Sequence, residues 1–210
     1  MDADFSIELG HDDAVLDFPW TDPAGKLAYL DLKRHPALLS QIEEAERFPE
    51  LKEFLRIVNS PRSVVETAKC DAWATTDLTP AEEIYDSSHK FASYVDIVFS
   101  TLGESPSLDR PSLDLDWPSL DRQSLSIHQE FATTLVNLLQ RAPETPSAVE
   151  ICVRRCFFAA PAGVHDGFYC TLYVTGFGGD EPSARQNWGV GLKLTANALL
   201  QISAKLHARS

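Results

Sequence analysis

A proline-punctuated repeat in the middle of the chain is the feature that most constrains its fold. The stretch "PSLDRPSLDLDWPSLDR" contains Pro-Ser-Leu-Asp three times, beginning at Pro106, Pro111 and Pro118. Proline fixes φ and lacks a backbone N–H, so this spacing excludes a regular helix and a central strand. We therefore interpret residues 102–124 as an extended acidic connector between two similar halves of a single domain, residues 1–210. The leucines and the tryptophan of the connector predict that it packs across the surface of the body.

The segments on the two sides of the connector resemble each other. Each contains a helical pattern, a proline-containing turn, Ser-x-Val-Glu beginning at Ser63 or Ser147, and two strand patterns. We expect an α+β fold, with an antiparallel sheet of about five strands and helices on one face. A pseudo-two-fold duplication of an αββ(α) unit would explain the similarity and would create a groove between the halves. Chance similarity is the alternative, because the identity is short.

Two N-terminal segments add shorter strand patterns. "DFSIEL" and "AVLDF" flank the turn-like "GHDD", which predicts a small hairpin. "KLAYLDL" alternates and predicts one further short strand. Pro36 and Pro49 each suit the first turn of a helix. We therefore expect two consecutive helices within residues 35–59, one beginning near each proline.

The acidic composition argues against two classes of partner. The chain has 31 acidic and 18 basic residues, a formal net charge of −13 at pH 7. An acidic surface repels phosphate backbones and anionic lipid, so we expect neither nucleic acid nor membrane as a partner. The N-terminus shows neither a basic region nor an apolar run, which predicts a soluble, cytoplasmic protein. In that compartment the four cysteines are expected to be thiols.

The stretch "RRCFFAAPAGVHDGFYC" is the richest in reactive side chains. It predicts a β-hairpin, and a register that pairs Phe158 with Phe168 would place Cys156 opposite Cys170. Cys152 would share that face, because residues four apart on a strand point the same way. Such a thiol cluster suits zinc. Buried free cysteine usually behaves as a small apolar residue, so we interpret the cluster as core and expect neither metal nor cofactor.

Four residues are candidates for catalysis. Cys70 is a candidate nucleophile, and His165, which we place in the hairpin loop, is a candidate base. Glu66 and Glu150 would be related by the pseudo-two-fold, and paired carboxylates can perform acid–base chemistry. They define the alternative function, a small hydrolase or transferase with a site between the halves. The same residues are explained without catalysis by an exposed loop histidine and by glutamates that point outward from the sheet or pair with Arg154 and Arg155.

A second set of residues predicts ligand binding. Lys69, Asp71 and Trp73 alternate in "KCDAW" and give one strand a polar, partly aromatic face. Arg154 is a further candidate. Because no residues show catalytic spacing, our leading hypothesis is a binding or interaction protein that uses the open sheet face or the groove between halves. Its ligand would be a small molecule or another protein.

The last helix predicts one possible self-interaction. Residues 183–206 are apolar on more than one side, which is typical of a deeply packed helix or of a subunit interface. A homodimer through this helix is therefore a hypothesis. Gly189 and Gly191 would either weaken the helix locally or allow another element to approach closely.

Overall fold

The computed structural model describes residues 1–79, 82, 85–100, 121–161 and 163–208. Most of the connector predicted over 102–124 lies outside the described residues. Its described end contacts the sheet, since the backbone N–H of Phe168 donates to the carbonyl of Arg122 at 2.8 Å. The rest of the packing predicted for the connector stays a prediction.

The fold is α+β and contains a six-stranded mixed sheet. The strands are β1 (Asp2–Glu8), β2 (Leu16–Phe18), β3 (Val65–Thr75), β4 (His89–Phe99), β5 (Ser147–Ala160) and β6 (Gly163–Gly178). Their order is β1-β5-β6-β4-β3, with β2 also paired to β5. The four strands β3, β4, β6 and β5 are antiparallel to their neighbours, whereas β1 and β2 run parallel to β5.

The purely antiparallel sheet predicted from the sequence is therefore wrong, as is the small N-terminal hairpin. β1 and β2 do not pair with each other. The long strand β5 accepts both on one edge, because β1 occupies Ala148 to Arg154 and β2 occupies Cys156 to Phe158. Two short strands that share one long partner satisfy the same backbone groups as a hairpin would.

The helices begin where local capping signals place them. They are a 3-10 helix (Pro36–Gln41), α1 (Glu43–Arg47), α2 (Pro49–Val58), α3 (Leu125–Gln140) and α4 (Glu181–His207). Ser124 caps α3 by accepting from the backbone N–H of Ile127. Asp180 and Ser183 form a reciprocal capping box at the start of α4. These bonds satisfy N–H groups that the first helical turn leaves without partners.

All helices of the main core pack against one face of the sheet. Alternate residues of each long strand point toward them, as Val149, Ile151 and Val153 do on β5. α4 lies directly on β6, because a Cβ added at Gly176 would stand 2.0 Å from the backbone nitrogen of Trp188. The indole of Trp188 is fully buried and donates to the Ser93 hydroxyl at 2.9 Å.

The two-sided apolar character of α4 has an explanation within one chain. α4 contacts α2 and α3 as well as the sheet, so its second apolar side is covered by neighbouring helices. Gly191 supports the close packing that we predicted, since an added Cβ would lie 3.1 Å from Val174 Cγ1. The homodimer stays a prediction, without this helix pattern as its argument.

The two halves share an order of elements. α2, β3 and β4 follow one another as α3, β5 and β6 do, and the two hairpins meet through β4 and β6. They differ in register, because the β3–β4 pairing shifts between Thr67 and Lys69 while the β5–β6 pairing is continuous. A shared order is not evidence of duplication, which stays a hypothesis.

Candidate functional site

The candidate site lies on the face of the sheet opposite the helices, which we call the open face. The part of this face around Ala68, Val98 and Cys156 is covered by residues 16–35, which we call the strap. Phe18, Trp20 and Tyr29 of the strap pack on a second, smaller apolar cluster. The indole N–H of Trp20 donates to the Ala68 carbonyl at 2.6 Å, and Lys33 donates to the Val65 carbonyl at 2.7 Å.

The strap is the region in which one further strand was predicted. In the structure "KLAYLDL" forms no strand of the sheet. Within the described residues, its one β-type pairing is an isolated antiparallel bridge between Ala28 and Thr21. Lys33, which follows this segment, is buried and donates to the carbonyl of Val65 on β3 through its side chain. Burial lowers the pKa of Lys33 to about 8.

Above the strap, five residues form a straight line across five strands. The pairs Asp4–Glu150, Glu150–Tyr173, Tyr173–Tyr94 and Tyr94–Asp71 are each directly opposite in the register. We call this set the acid–tyrosine row. Its three carboxylates are exposed and its two tyrosines are half-buried, with ring centroids 6.4 Å apart. The row presents two aromatic rings between acidic ends.

Trp73 extends the aromatic surface beyond the row. It lies two residues from Asp71 on the same strand, so both side chains point to the open face. Its ring centroid is 6.4 Å from that of Tyr94, and the residue is 39% exposed. An exposed tryptophan beside two tyrosines is typical of a binding surface, because large aromatic side chains are usually buried.

A polar network lies on the same face of the sheet, between the row and the strap. Arg154 donates to Glu8 at 2.7 Å, to the Thr171 hydroxyl at 3.1 Å and to the Tyr173 hydroxyl at 3.1 Å. Thr171 in turn donates to Asp96 Oδ1 at 2.7 Å. The chain of bonds therefore connects an edge strand to the centre of the sheet and orients the Tyr173 ring.

Asp96 is the most unusual member of this network. It is only 7% exposed, and its hydrogen bond comes from a neutral hydroxyl. Desolvation raises its pKa to about 6, although the Thr171 bond and the charges of Arg154 and Lys69 act in the opposite direction. No described basic side chain forms an ion pair with it, because Arg154 is paired with Glu8. At neutral pH the open face thus has a buried negative charge at its centre.

All four predicted ligand-binding residues lie on the open face. Asp71 belongs to the acid–tyrosine row, and Trp73 lies beside the row. Arg154 belongs to the polar network between the row and the strap. Lys69 lies opposite Asp96, and its ammonium is 4.8 Å from the centre of the Trp20 ring. The register shift after Thr67 puts Lys69 on this face, because an extra residue reverses the alternation.

The four candidate catalytic residues do not meet. Cys70 packs against the helix-side core, and burial raises its pKa to about 12, which suppresses the thiolate. Glu66 is buried against Arg122 at 2.6 Å, whereas Glu150 is exposed. β4 and β6 separate their strands, and Glu66 lies opposite Val98 whereas the register carries Glu150 to Tyr94, so the two glutamates are about 20 Å apart. The predicted carboxylate pair is therefore wrong.

The hairpin prediction placed His165 in a loop, which is also wrong. The turn closes between Ala160 and Gly163, so His165 lies in β6 opposite Phe158 and is exposed. Gly163 has φ +127°, a conformation that favours glycine and permits this tight turn. The shorter loop shifts the whole register by three residues relative to the predicted Phe158–Phe168 pair.

That shift separates the three clustered cysteines. Cys152 and Cys156 point to the open face, but Cys170 lies opposite Val153 and belongs to the helix-side core. Glu8, Glu150 and Cys152 do bring three possible metal ligands within 4.8 Å of one another. Arg154 already neutralises Glu8, and burial raises the pKa of Cys152 to about 11. A carboxylate that is already neutralised and a thiol that stays protonated disfavour a metal cation at these three residues.

Sequence reasoning missed the centre of this surface. Tyr94, Asp96, Thr171 and Tyr173 were not among the candidates. The signal was present in "KFASYVDIVFS", where the apolar residues take one face and Tyr94 and Asp96 take the other. Two polar or amphipathic residues on the second face of a central strand indicate a surface that is not simply solvated.

Comparison with protein-family models, curated proteins and solved structures finds no match in any of the three. Among the described helices, none is both long and apolar enough to cross a membrane.

Proposed function

We propose that this protein is a binding protein whose ligand site is the open face of the sheet above the strap. The observation that carries the proposal is the acid–tyrosine row together with the Asp96–Thr171–Arg154 network that lies next to it on the same face. A nearly buried carboxylate without a basic partner costs stability, and such costs concentrate where a ligand later compensates them.

The construction of the surface supports the same function. Four of its five strands are antiparallel and paired on both sides or anchored by the strap, so the floor is rigid. Arg154 fixes the Tyr173 hydroxyl, which reduces the entropy that the ring would lose on binding. Rigid aromatic groups with oriented polar neighbours are typical of ligand surfaces.

The alternative function, a hydrolase or transferase, receives less support. Its candidate residues do not meet: the Cys70 thiol is desolvated on the helix side, Glu66 is paired with Arg122, and Glu150 and His165 are exposed at separate positions of the sheet. Within the described chain, the one ion pair that joins a histidine to a carboxylate, His11 with Asp12, is fully exposed rather than inside a pocket. We therefore retain ligand binding as the proposal.

Site-specific photo-crosslinking in the producing cells tests this proposal. A benzophenone amino acid replaces Trp73 on the open face, and in a control it replaces Asn137, which is exposed on α3. We expect an adduct of one discrete mass from position 73 that is absent from position 137. The adduct should decrease when Tyr94→Leu is added. Equal adducts at both positions, or none at position 73, would contradict the proposal.

A further inference from the structure

We propose that the ligand of the open face is a basic segment of a partner protein, with a lysine or arginine side chain seated over Tyr94 and Trp73. This inference rests on the proposed function and adds the chemistry of the ligand.

The charges of the acid–tyrosine row point to a cation. Asp4, Glu150 and Asp71 are exposed, and none of them forms an ion pair with a described residue. The basic groups nearest to the row are occupied, because Lys69 lies over the Trp20 ring and Arg154 is paired with Glu8. Arg154 also lies 5.5 Å from the centre of the Tyr173 ring, which leaves the rings of Tyr94 and Trp73 for a ligand. A row of free carboxylates on a chain of net charge −13 attracts positive ligands and repels negative ones.

The aromatic centre of the row points the same way. The faces of tyrosine and tryptophan rings attract cations through their quadrupoles. Tyr94 and Tyr173 are tilted by 56° to each other, and Trp73 is tilted by 52° to Tyr94. The three rings form an aromatic patch, which suits an ammonium or guanidinium group with its alkyl stem.

Asp96 supplies a negative charge beside this aromatic patch, on the side of the strap. It lies two residues from Tyr94 on β4, about 7 Å along the strand, and its side chain points to the same face. A cation over Tyr94 would therefore approach a desolvated carboxylate that forms no ion pair with a described residue. The attraction is stronger here than at the surface, because the surroundings of Asp96 are poorly screened.

The length of the row favours a polypeptide over a small cation. Glu150 and Asp71 are separated by three strand spacings, about 14 Å, which equals about four residues of extended chain. A single small amine reaches only one end of such a row. A segment with two basic residues about four positions apart reaches the aromatic patch and one flanking carboxylate together.

Fluorescence anisotropy with defined probes tests the inference on the full-length protein. The first probe is a labelled peptide of about ten residues with two lysines four positions apart, and the second has glutamates in their place. Unlabelled spermidine is the small-cation competitor. We expect the lysine peptide to bind, the glutamate peptide not to bind, and spermidine to compete at least about tenfold more weakly than the unlabelled lysine peptide.

Matched variants locate the binding to the row. The double change Asp71→Asn with Glu150→Gln should weaken the lysine peptide at least about fivefold. The control Glu130→Gln with Glu144→Gln removes the same charge from exposed positions outside the row and should change affinity less than about twofold. Tyr94→Leu should weaken binding about fivefold, and Tyr94→Phe should restore it, because the phenyl ring retains the cation–π contact.

The outcomes separate this inference from the proposed function. A crosslinked adduct at position 73 without lysine-peptide binding would overturn the basic-segment inference and leave the binding function intact. Equal affinity for spermidine and peptide would also overturn it, as would equal weakening by the two double variants. Preferential binding of the glutamate peptide would reverse the assigned charge. Lysine-peptide binding that follows the row variants and not the controls supports the inference.

Discussion

Replacing Asp96 by asparagine should stabilise the protein at neutral pH. The two side chains have the same shape, and the asparagine carbonyl oxygen can accept the Thr171 hydroxyl in place of Asp96 Oδ1. The substitution removes only the charge that burial disfavours. The comparison therefore isolates the cost of holding this carboxylate ionised inside the sheet.

The magnitude follows from the raised pKa. The carboxyl has an ordinary pKa of 3.8 and a pKa of about 6 in the folded protein. Each pH unit between these values is worth about 1.4 kcal/mol, so the full effect is about 3 kcal/mol. Between the two values the folded state binds more protons than the unfolded state. The contribution of Asp96 to stability is therefore present below about pH 4 and is lost as the pH rises through about 6.

Urea unfolding at a series of pH values, followed by tryptophan fluorescence, measures this effect. The free energy of unfolding of Asp96→Asn should equal that of the wild type near pH 4 and exceed it by about 3 kcal/mol near pH 7. Asp71→Asn removes an exposed carboxylate from the same face and is the matched control. A difference between Asp96→Asn and the wild type that is constant from pH 4 to pH 7 would refute the reasoning.

Three further substitutions test the packing around the site. Gly176→Ala should lower the free energy of unfolding by more than about 3 kcal/mol in urea titrations, because its Cβ would stand 2.0 Å from the Trp188 backbone nitrogen; an unchanged midpoint would contradict the close contact. Arg122→Met should cost roughly 3 kcal/mol by leaving Glu66 buried without its partner, and adding Glu66→Gln should recover part of the loss. Lys33 has a lowered pKa, so its folded form binds fewer protons between about pH 8 and 10.5 and its contribution to stability should rise across that window. Relative to Lys33→Met, the wild type should therefore gain stability on going from pH 8 to pH 10, and a flat difference would show that the ammonium is not desolvated.

Asp96 also connects stability with binding. If the further inference is correct, Asp96→Asn weakens the lysine peptide while it strengthens the fold. A residue with only a structural role does not produce that combination, since a stabilising change would leave affinity unaltered. Anisotropy and urea unfolding on the same preparations measure both quantities.

Local chemistry made several features predictable from the sequence. Pro36 and Pro49 mark helix starts because proline suits the first turn. Alternation in residues 89–99 predicts a strand with one apolar face, because side chains of a strand point to opposite sides in turn. Each of these signals depends on residues within a few positions of one another.

Tertiary structure decided where those elements meet. The tight turn at Gly163 moved the hairpin register by three residues, which placed His165 in a strand and separated Cys170 from Cys152. This register shift cannot be read from the local sequence, since loops of different length are compatible with the same strand pattern.

The sequence by itself thus determined the α+β class, the helix starts and the alternating faces of the long strands. Only the folded chain decided that β1 and β2 join β5 in parallel, and that four separate strands bring Asp71, Tyr94, Tyr173 and Glu150 into one row. The physical reason is range. Capping and alternation are set by neighbouring residues, whereas pairing and register are set by contacts between segments about a hundred residues apart in sequence, whose closure no local pattern specifies.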